Sequence, residues 1–182
     1  MISEPVVITD TNAIILLLRI APQMFQDKHY GCLLPEYAYD EFIKKPEFKE
    51  LFPWRADYKK FLHLGISIAT IRENKQFQPA LDCVAFMPGN EGLSKKDQQI
   101  VSVAIAFNYA LCTDDRALES FARKQFCVRT YSPLELINRW LQDGLFEWDD
   151  EKQNLLTDWN RRPQPPKQIK LFKELTGRSY PP

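Results

Sequence analysis

The chain has 182 residues, of which 45% are hydrophobic and 26% charged, and its 24 basic residues balance its 24 acidic ones. That is the length and composition of one globular domain with a real core; it excludes wholesale disorder, and any polyanion site must be a local patch. Four cysteines at wide spacing and two histidines make a structural zinc site a poor expectation. Cys112 and Cys127 lie in apolar runs, where a buried thiol acts as a small hydrophobe in a reducing, cytoplasmic setting. No apolar run is long enough to span a bilayer, and no basic-then-apolar leader is visible.

Val6–Thr9 reads as a short buried strand. Asp10-Thr11-Asn12 then caps a largely apolar helix to Ile20. Gly31–Leu34 is a second strand, and Pro35 opens a helix to about Lys45. Residues 47 to 63 read as helical and aromatic-rich, with Pro53 interrupting. Residues 66 to 71 fit a strand or a helix equally, and a helix is expected over about 72 to 86. Pro88–Gly92 is a loop. Ser94 starts a helix to about Tyr109, Ala110–Thr113 is a third strand, 115 to 124 a helix, and 126 to 130 a fourth strand. Ser132-Pro133 opens a last helix, which Asp143-Gly144 closes. Such alternation predicts an α/β fold with a parallel sheet covered on both faces.

Composition changes at Gly144. Residues 143 to 158 carry six acids against one base, and residues 161 to 182 carry six bases against one acid, with five prolines. The chain is therefore divided into a domain over 1–144 and a C-terminal extension over 145–182. The extension is expected to leave the compact domain and pack by Trp148 and Trp159.

Several acids fall at places where the sheet's carboxyl edge would lie, which is where open α/β sheets bind ligands. Asp10 follows the first strand, and Asp114 and Asp115 follow the third. Glu41 shares a helical face with Tyr37, Ala38 and Phe42. Asp97 stands three residues after Ser94, as in a capping box, and heads the apolar stripe of Ile100, Val101 and Ala104. Each position also suits ordinary capping or solvent exposure. Together, however, such carboxylates repel one another unless cations compensate them, and oxygen donors without cysteine or histidine suit Mg²⁺ or Mn²⁺.

Four segments carry a resemblance: Val7-Ile8-Thr9-Asp10-Thr11-Asn12, Leu34-Pro35-Glu36-Tyr37-Ala38-Tyr39-Asp40-Glu41-Phe42, Leu93-Ser94-Lys95-Lys96-Asp97, and Leu111-Cys112-Thr113-Asp114-Asp115-Arg116-Ala117-Leu118. In this order, over about residues 5 to 142, the chain resembles the PIN-domain ribonucleases, which include toxins of bacterial toxin–antitoxin systems. The resemblance implies a PIN-like three-layer α/β/α fold with a central parallel sheet of about four or five strands. It also implies an endoribonuclease dependent on Mg²⁺ or Mn²⁺, hydrolysing RNA phosphodiester bonds. Catalytic metal ligands are then Asp10, Glu41, Asp97 and Asp115, with Asp114 as an extra or water-mediated candidate. Asn12 and Thr113 would orient the carboxylates, and Lys95, Lys96 and Arg116 are candidates to hold the RNA backbone. Expected partners are RNA in a single strand or loop, an antitoxin protein and a second copy of the chain. The long aromatic stretch between Glu41 and Asp97, and the extension itself, depart from the minimal domain of that family.

Two other functions compete. A PIN-like module could bind RNA or protein through its C-terminal extension without turnover. A phosphatase would want Asp-x-Asp after the first strand, but the third position is Asn12. Neither common phosphate-cradling glycine motif is present.

Overall fold

The computed structural model describes residues 6–8, 11–26, 32–62, 64–159 and 167–181. Five short strands, β1 (Val6–Ile8), β2 (Cys32–Pro35), β3 (Leu64–Ile66), β4 (Ala110–Cys112) and β5 (Thr130–Tyr131), form one sheet in the order β3-β2-β1-β4-β5. Every pairing is parallel, with Val6 opposite Cys32 and Ala110, and Ile8 opposite Cys112. Sequence predicts the centre of this sheet well, because fully buried strands must be continuously apolar. It misplaces the edge. The strand expected over 126 to 130 is only Thr130–Tyr131, since the preceding helix runs on through Phe126 and ends at Cys127 in a left-handed conformation (φ 55°).

Strand alternation divides the core into two faces. Val6, Cys32, Leu34, Ala110 and Cys112 point to one; Val7, Leu33 and Leu111 point to the other. The first face is covered by α1 (Thr11–Ile20), α2 (Glu36–Lys44) and α9 (Pro133–Gln142). The second is covered by α6 (Phe77–Phe86), α7 (Lys95–Phe107) and α8 (Arg116–Phe126). The architecture is thus three layers, α/β/α. The aromatic stretch forms two short helices, α3 (Pro46–Leu51) and α4 (Arg55–Tyr58), followed by a 3₁₀ turn over Lys59–Phe61; a similar turn over Pro22–Phe25 follows α1.

The ambiguous stretch 66 to 71 is a strand and then a helix: β3 ends at Ile66 and α5 spans Ile68–Glu73. The helix expected over 72 to 86 is split. Asn74 closes α5 with extended backbone, and its side chain accepts from the Gln76 amide at 2.8 Å. An asparagine that bonds its own backbone two residues on favours a turn over helix interior.

The C-terminal extension corrects the expectation of a departing tail. It holds two helices, α10 (Asp150–Trp159) and α11 (Ile169–Thr176), and Leu156 and Phe172 are buried in the first core face. The reason is written in α1, where Ala13 to Leu18 are all buried. A helix apolar all round needs cover on its outer side as well as from the sheet. α10 packs on α1, and α11 packs on α9. Trp148 meets the Phe172 ring edge-on at 4.9 Å, as expected of a packed tryptophan, whereas the side chain of Trp159 and residues 160–166 lie outside the described residues.

Cysteine expectations divide as well. None of the four cysteines forms a disulfide; Cys112 and Cys32 are buried, but Cys127 is exposed, because it sits at the C-cap of α8 rather than inside a strand. Burial pushes the Cys32 thiol far above its usual range. Among the described residues, no helix is long and apolar enough to cross a membrane.

Candidate active site at the carboxyl edge of the sheet

β1 and β4 are neighbours at the sheet's centre, and Ile8 and Cys112 end them side by side. Asp10 and Thr9 lie outside the described residues, as does the side chain of Asn12. β4 continues into Thr113, Asp114 and Asp115. Thr113 is buried, and its Oγ1 accepts from the Asp115 amide at 3.0 Å, so this turn is held from within. Asp114 is half-buried at the bend. Asp115 caps α8: its Oδ1 accepts from the amides of Ala117 (2.7 Å) and Leu118 (3.1 Å). The carboxylate also complements the positive end of the helix dipole.

Asp97 is brought to the same edge by topology. α7 ends at Asn108, in a left-handed conformation, and β4 starts two residues later. The helix therefore runs back along the sheet, and its first turn lies about 20 Å from the amino end of β4. There Ser94 and Asp97 form a full capping box, as the sequence predicts. The Ser94 Oγ accepts from the Asp97 amide at 3.2 Å, while Asp97 Oδ2 accepts from the Ser94 amide at 3.0 Å and its hydroxyl at 2.7 Å.

Glu41 stands about 7.5 Å along α2 from the end of β2. Ala38 and Phe42 are buried beside it, and Glu41 itself is partly covered, its side chain 30% exposed. Its Oε1 accepts from Lys45 Nζ at 3.3 Å, and this hydrogen bond, assisted by Glu47, holds the Lys45 ammonium above the usual lysine range. Lys95, Lys96 and Arg116 are exposed at the starts of α7 and α8.

Glu41, Asp97 and Asp115 share one feature. Each spends one oxygen on a local partner, and the other has none among the described residues. Among the described residues, no three acidic, cysteine or histidine side chains come together closely enough to hold an ion.

Two residues, one at the start of α2 and one bonded to its end, escape sequence reading. Glu36 follows β2 directly, and its Oε2 accepts from the Ile68 amide at 2.8 Å, tying α2 to the start of α5. Its place straight after a strand was the available signal, obscured by the polar stripe of α2. Arg55 is buried, and its Nη1 donates to the carbonyls of Phe42 (2.8 Å) and Lys45 (3.3 Å), closing the C-terminal end of α2. An arginine in an aromatic-rich, otherwise exposed segment gives no sign in sequence that it will be buried.

Compared with family models, curated proteins and solved structures, the chain matches none of them.

Proposed function

We propose that the chain is a PIN-like, metal-dependent endoribonuclease whose acids act at the carboxyl edge of the sheet. The observation that carries this reading is the pairing of Ile8 with Cys112 at the centre of a parallel sheet. It makes the segment bearing Asp114 and Asp115 the spatial continuation of the strand next to the one that Asp10 follows in sequence. α7 adds Asp97 from the same end. Topological switch points of this kind are where α/β sheets bind ligands.

The donor type, oxygen alone, is that of a hard divalent cation: in this reading Asp10, Glu41, Asp97 and Asp115, with Asp114 as an auxiliary, would converge on Mg²⁺ or Mn²⁺ when the ion binds. Glu41, Asp97 and Asp115 each keep an oxygen beyond their structural bonds, but among the described residues they do not stand together as a three-acid cluster, so binding an ion would require these acids to draw closer. A bound ion supplies the Lewis acidity that phosphodiester hydrolysis needs. Asn12 and Thr113 would orient carboxylates, Thr113 already fixing the Asp115 backbone. Lys95, Lys96 and Arg116, exposed beside the acids, would hold phosphates of an unpaired RNA strand or loop. An antitoxin protein, a second copy of the chain and a cytoplasmic setting belong to the same proposal.

The experiment is cleavage of a mixed RNA pool with Mg²⁺, with Mn²⁺ and with excess chelator. Cleavage confined to the metal-containing reactions supports the proposal, and undiminished cleavage in chelator removes it.

One observation favours a second reading, a non-catalytic RNA- or protein-binding module. Glu41, Asp97 and Asp115 all have structural partners that explain their presence without chemistry. This reading predicts that Asp115→Asn, which keeps the cap, leaves RNA or partner binding unchanged in a protein that never cuts.

A further inference from the structure

Away from the carboxyl-edge acids, the free side of β5 borders a cleft of about 720 Å³, a size that suits a small-molecule ligand. Its walls are the end of α8, the outer side of α9 and the start of α11, so the C-terminal extension helps to form it.

Backbone geometry leaves this edge with unused polar groups. The Leu111 amide donates to the Arg129 carbonyl at 2.9 Å, and the Thr113 amide donates to the Tyr131 carbonyl at 3.0 Å. Residues 129 and 131 thus turn their backbone toward β4, and alternation turns the N–H and C=O of Thr130 toward the free edge. Thr130 lines the cleft and is only 9% exposed, and its Oγ1 has no hydrogen-bond partner among the described residues. A buried hydroxyl without a partner is costly, and its presence calls for an explanation.

The same cleft gathers three guanidinium groups, Arg123, Arg129 and Arg139. Arg123 gives one of its five donors to Glu119 at 3.2 Å. Arg139 lies over the Tyr131 ring at 5.7 Å and donates to its hydroxyl at 2.8 Å, which fixes its plane. Against them stand two carboxylates. Glu135 is committed to the Ser132 amide (2.7 Å) and faces the Gln168 amide group at 3.4 Å; Asp143 ends α9. The carbonyl ends of α8 and α9 favour arginine here as well, but they do not account for Thr130.

We infer that this cleft is a binding site for a phosphomonoester. Planar guanidinium forks match phosphate oxygens, and the N–H and hydroxyl of Thr130 supply further donors. The carboxamides of Gln142 and Gln168, also in the lining, suit a sugar attached to the phosphate. The source of the group is a free sugar phosphate or nucleotide, or the 5′ end of an RNA. The site stands independently of the nuclease reading.

The test is calorimetric titration of the full chain in chelator, which removes divalent ions. The ligands are ribose 5-phosphate, ribose, AMP, and one RNA oligomer with either a 5′-phosphate or a 5′-hydroxyl. Ribose 5-phosphate should bind one to one and at least tenfold tighter than ribose. Exposed Arg129→Gln should weaken it tenfold or more. Thr130→Val should weaken it severalfold without lowering Tm, because the replaced hydroxyl has no partner to lose among the described residues. Lys95→Gln, at the other site, should leave binding unchanged. AMP binding as tightly as ribose 5-phosphate, with the two oligomers alike, supports the site with a free metabolite as source. A 5′-phosphorylated oligomer binding tenfold tighter than its hydroxyl twin, with the preference lost in Arg129→Gln, supports it with an RNA end as source. Equal affinity for ribose and ribose 5-phosphate, or full affinity in Arg129→Gln, overturns the proposal.

Discussion

Phe172 offers the sharpest test of how the extension is joined to the fold. Its ring is fully buried, meets Trp148 at 4.9 Å and Tyr180 at 5.9 Å, both edge-on, and belongs to the core face that contains α1 and α9. Replacing it with alanine removes a large buried side chain and leaves a cavity, at a cost of about 3–5 kcal/mol. The two aromatic pairs place the expected loss in the upper part of that range, since each contributes about 0.5–1.5 kcal/mol beyond area burial. Domains have roughly 5–15 kcal/mol in all, so one substitution near the C-terminus should remove a large share. With a slope of about 2 kcal/mol per molar urea, the unfolding midpoint should fall by about 2–2.5 M. Urea unfolding followed by both far-UV circular dichroism and tryptophan fluorescence measures it, and the two probes should move together. A loss below about 1 kcal/mol, or an early fluorescence transition with the helical signal unmoved, would refute the claim that α10 and α11 share the core of the sheet domain.

Other expectations follow from single interactions. Arg55→Met should lower Tm by about 3–12 °C, because hydrogen bonds from a charged group are worth about 1.5–3 kcal/mol and each kcal/mol moves Tm by about 2–4 °C at this size; an unchanged melting curve would show that the carbonyls of Phe42 and Lys45 do not need it. Asp115→Ala should cost about 1 kcal/mol through the lost cap, whereas Asp115→Asn should cost little, by thermal unfolding of the three proteins side by side. Glu119 is partly buried, which alone would raise its pKa, but Lys167 and Arg123 outweigh burial and hold its carboxyl below the usual range. Its pairing therefore stabilises the fold above the ordinary carboxylate value of about 4.3 and is lost as pH falls through the lower folded value. The stability gap between the wild type and Glu119→Gln should be present at pH 7 and close below about pH 4; a gap that persists in acid contradicts this pairing.

The sequence makes the sheet's centre and the better-capped helices legible. Val6–Val7 and Ala110–Cys112 are apolar on both faces because helices cover both. Ser94 with Asp97, and Ser132 with Glu135, form capping boxes that mark helix starts within a residue. What the sequence obscures has non-local causes. β5 is two residues long and gains its place from β4, not from its own apolar pattern. β3 and α5 share one apolar run, which period alone cannot divide. The extension reads as a tail because its ends are strongly charged, yet its buried Leu156 and Phe172 answer the all-round apolar α1 far away in sequence. At the candidate site, chain order locates the acids near strand ends and helix starts, but not their commitments: Glu41 to Lys45, Glu36 to the Ile68 amide, Asp115 to two amides. The arginines along β5 come from α8, from the residue just before β5 and from α9, and no local motif announces them.

In the proposed nuclease, carboxylates from separate segments would hold a divalent ion at the carboxyl edge between β1 and β4. Anomalous diffraction from crystals grown with Mn²⁺ reads this out. The expected result is an ion peak within about 2.3 Å of oxygens from Asp10 and from at least one of Asp97, Asp114 and Asp115. Density with these carboxylates apart, or with Mn²⁺ bound only elsewhere on the chain, would contradict it.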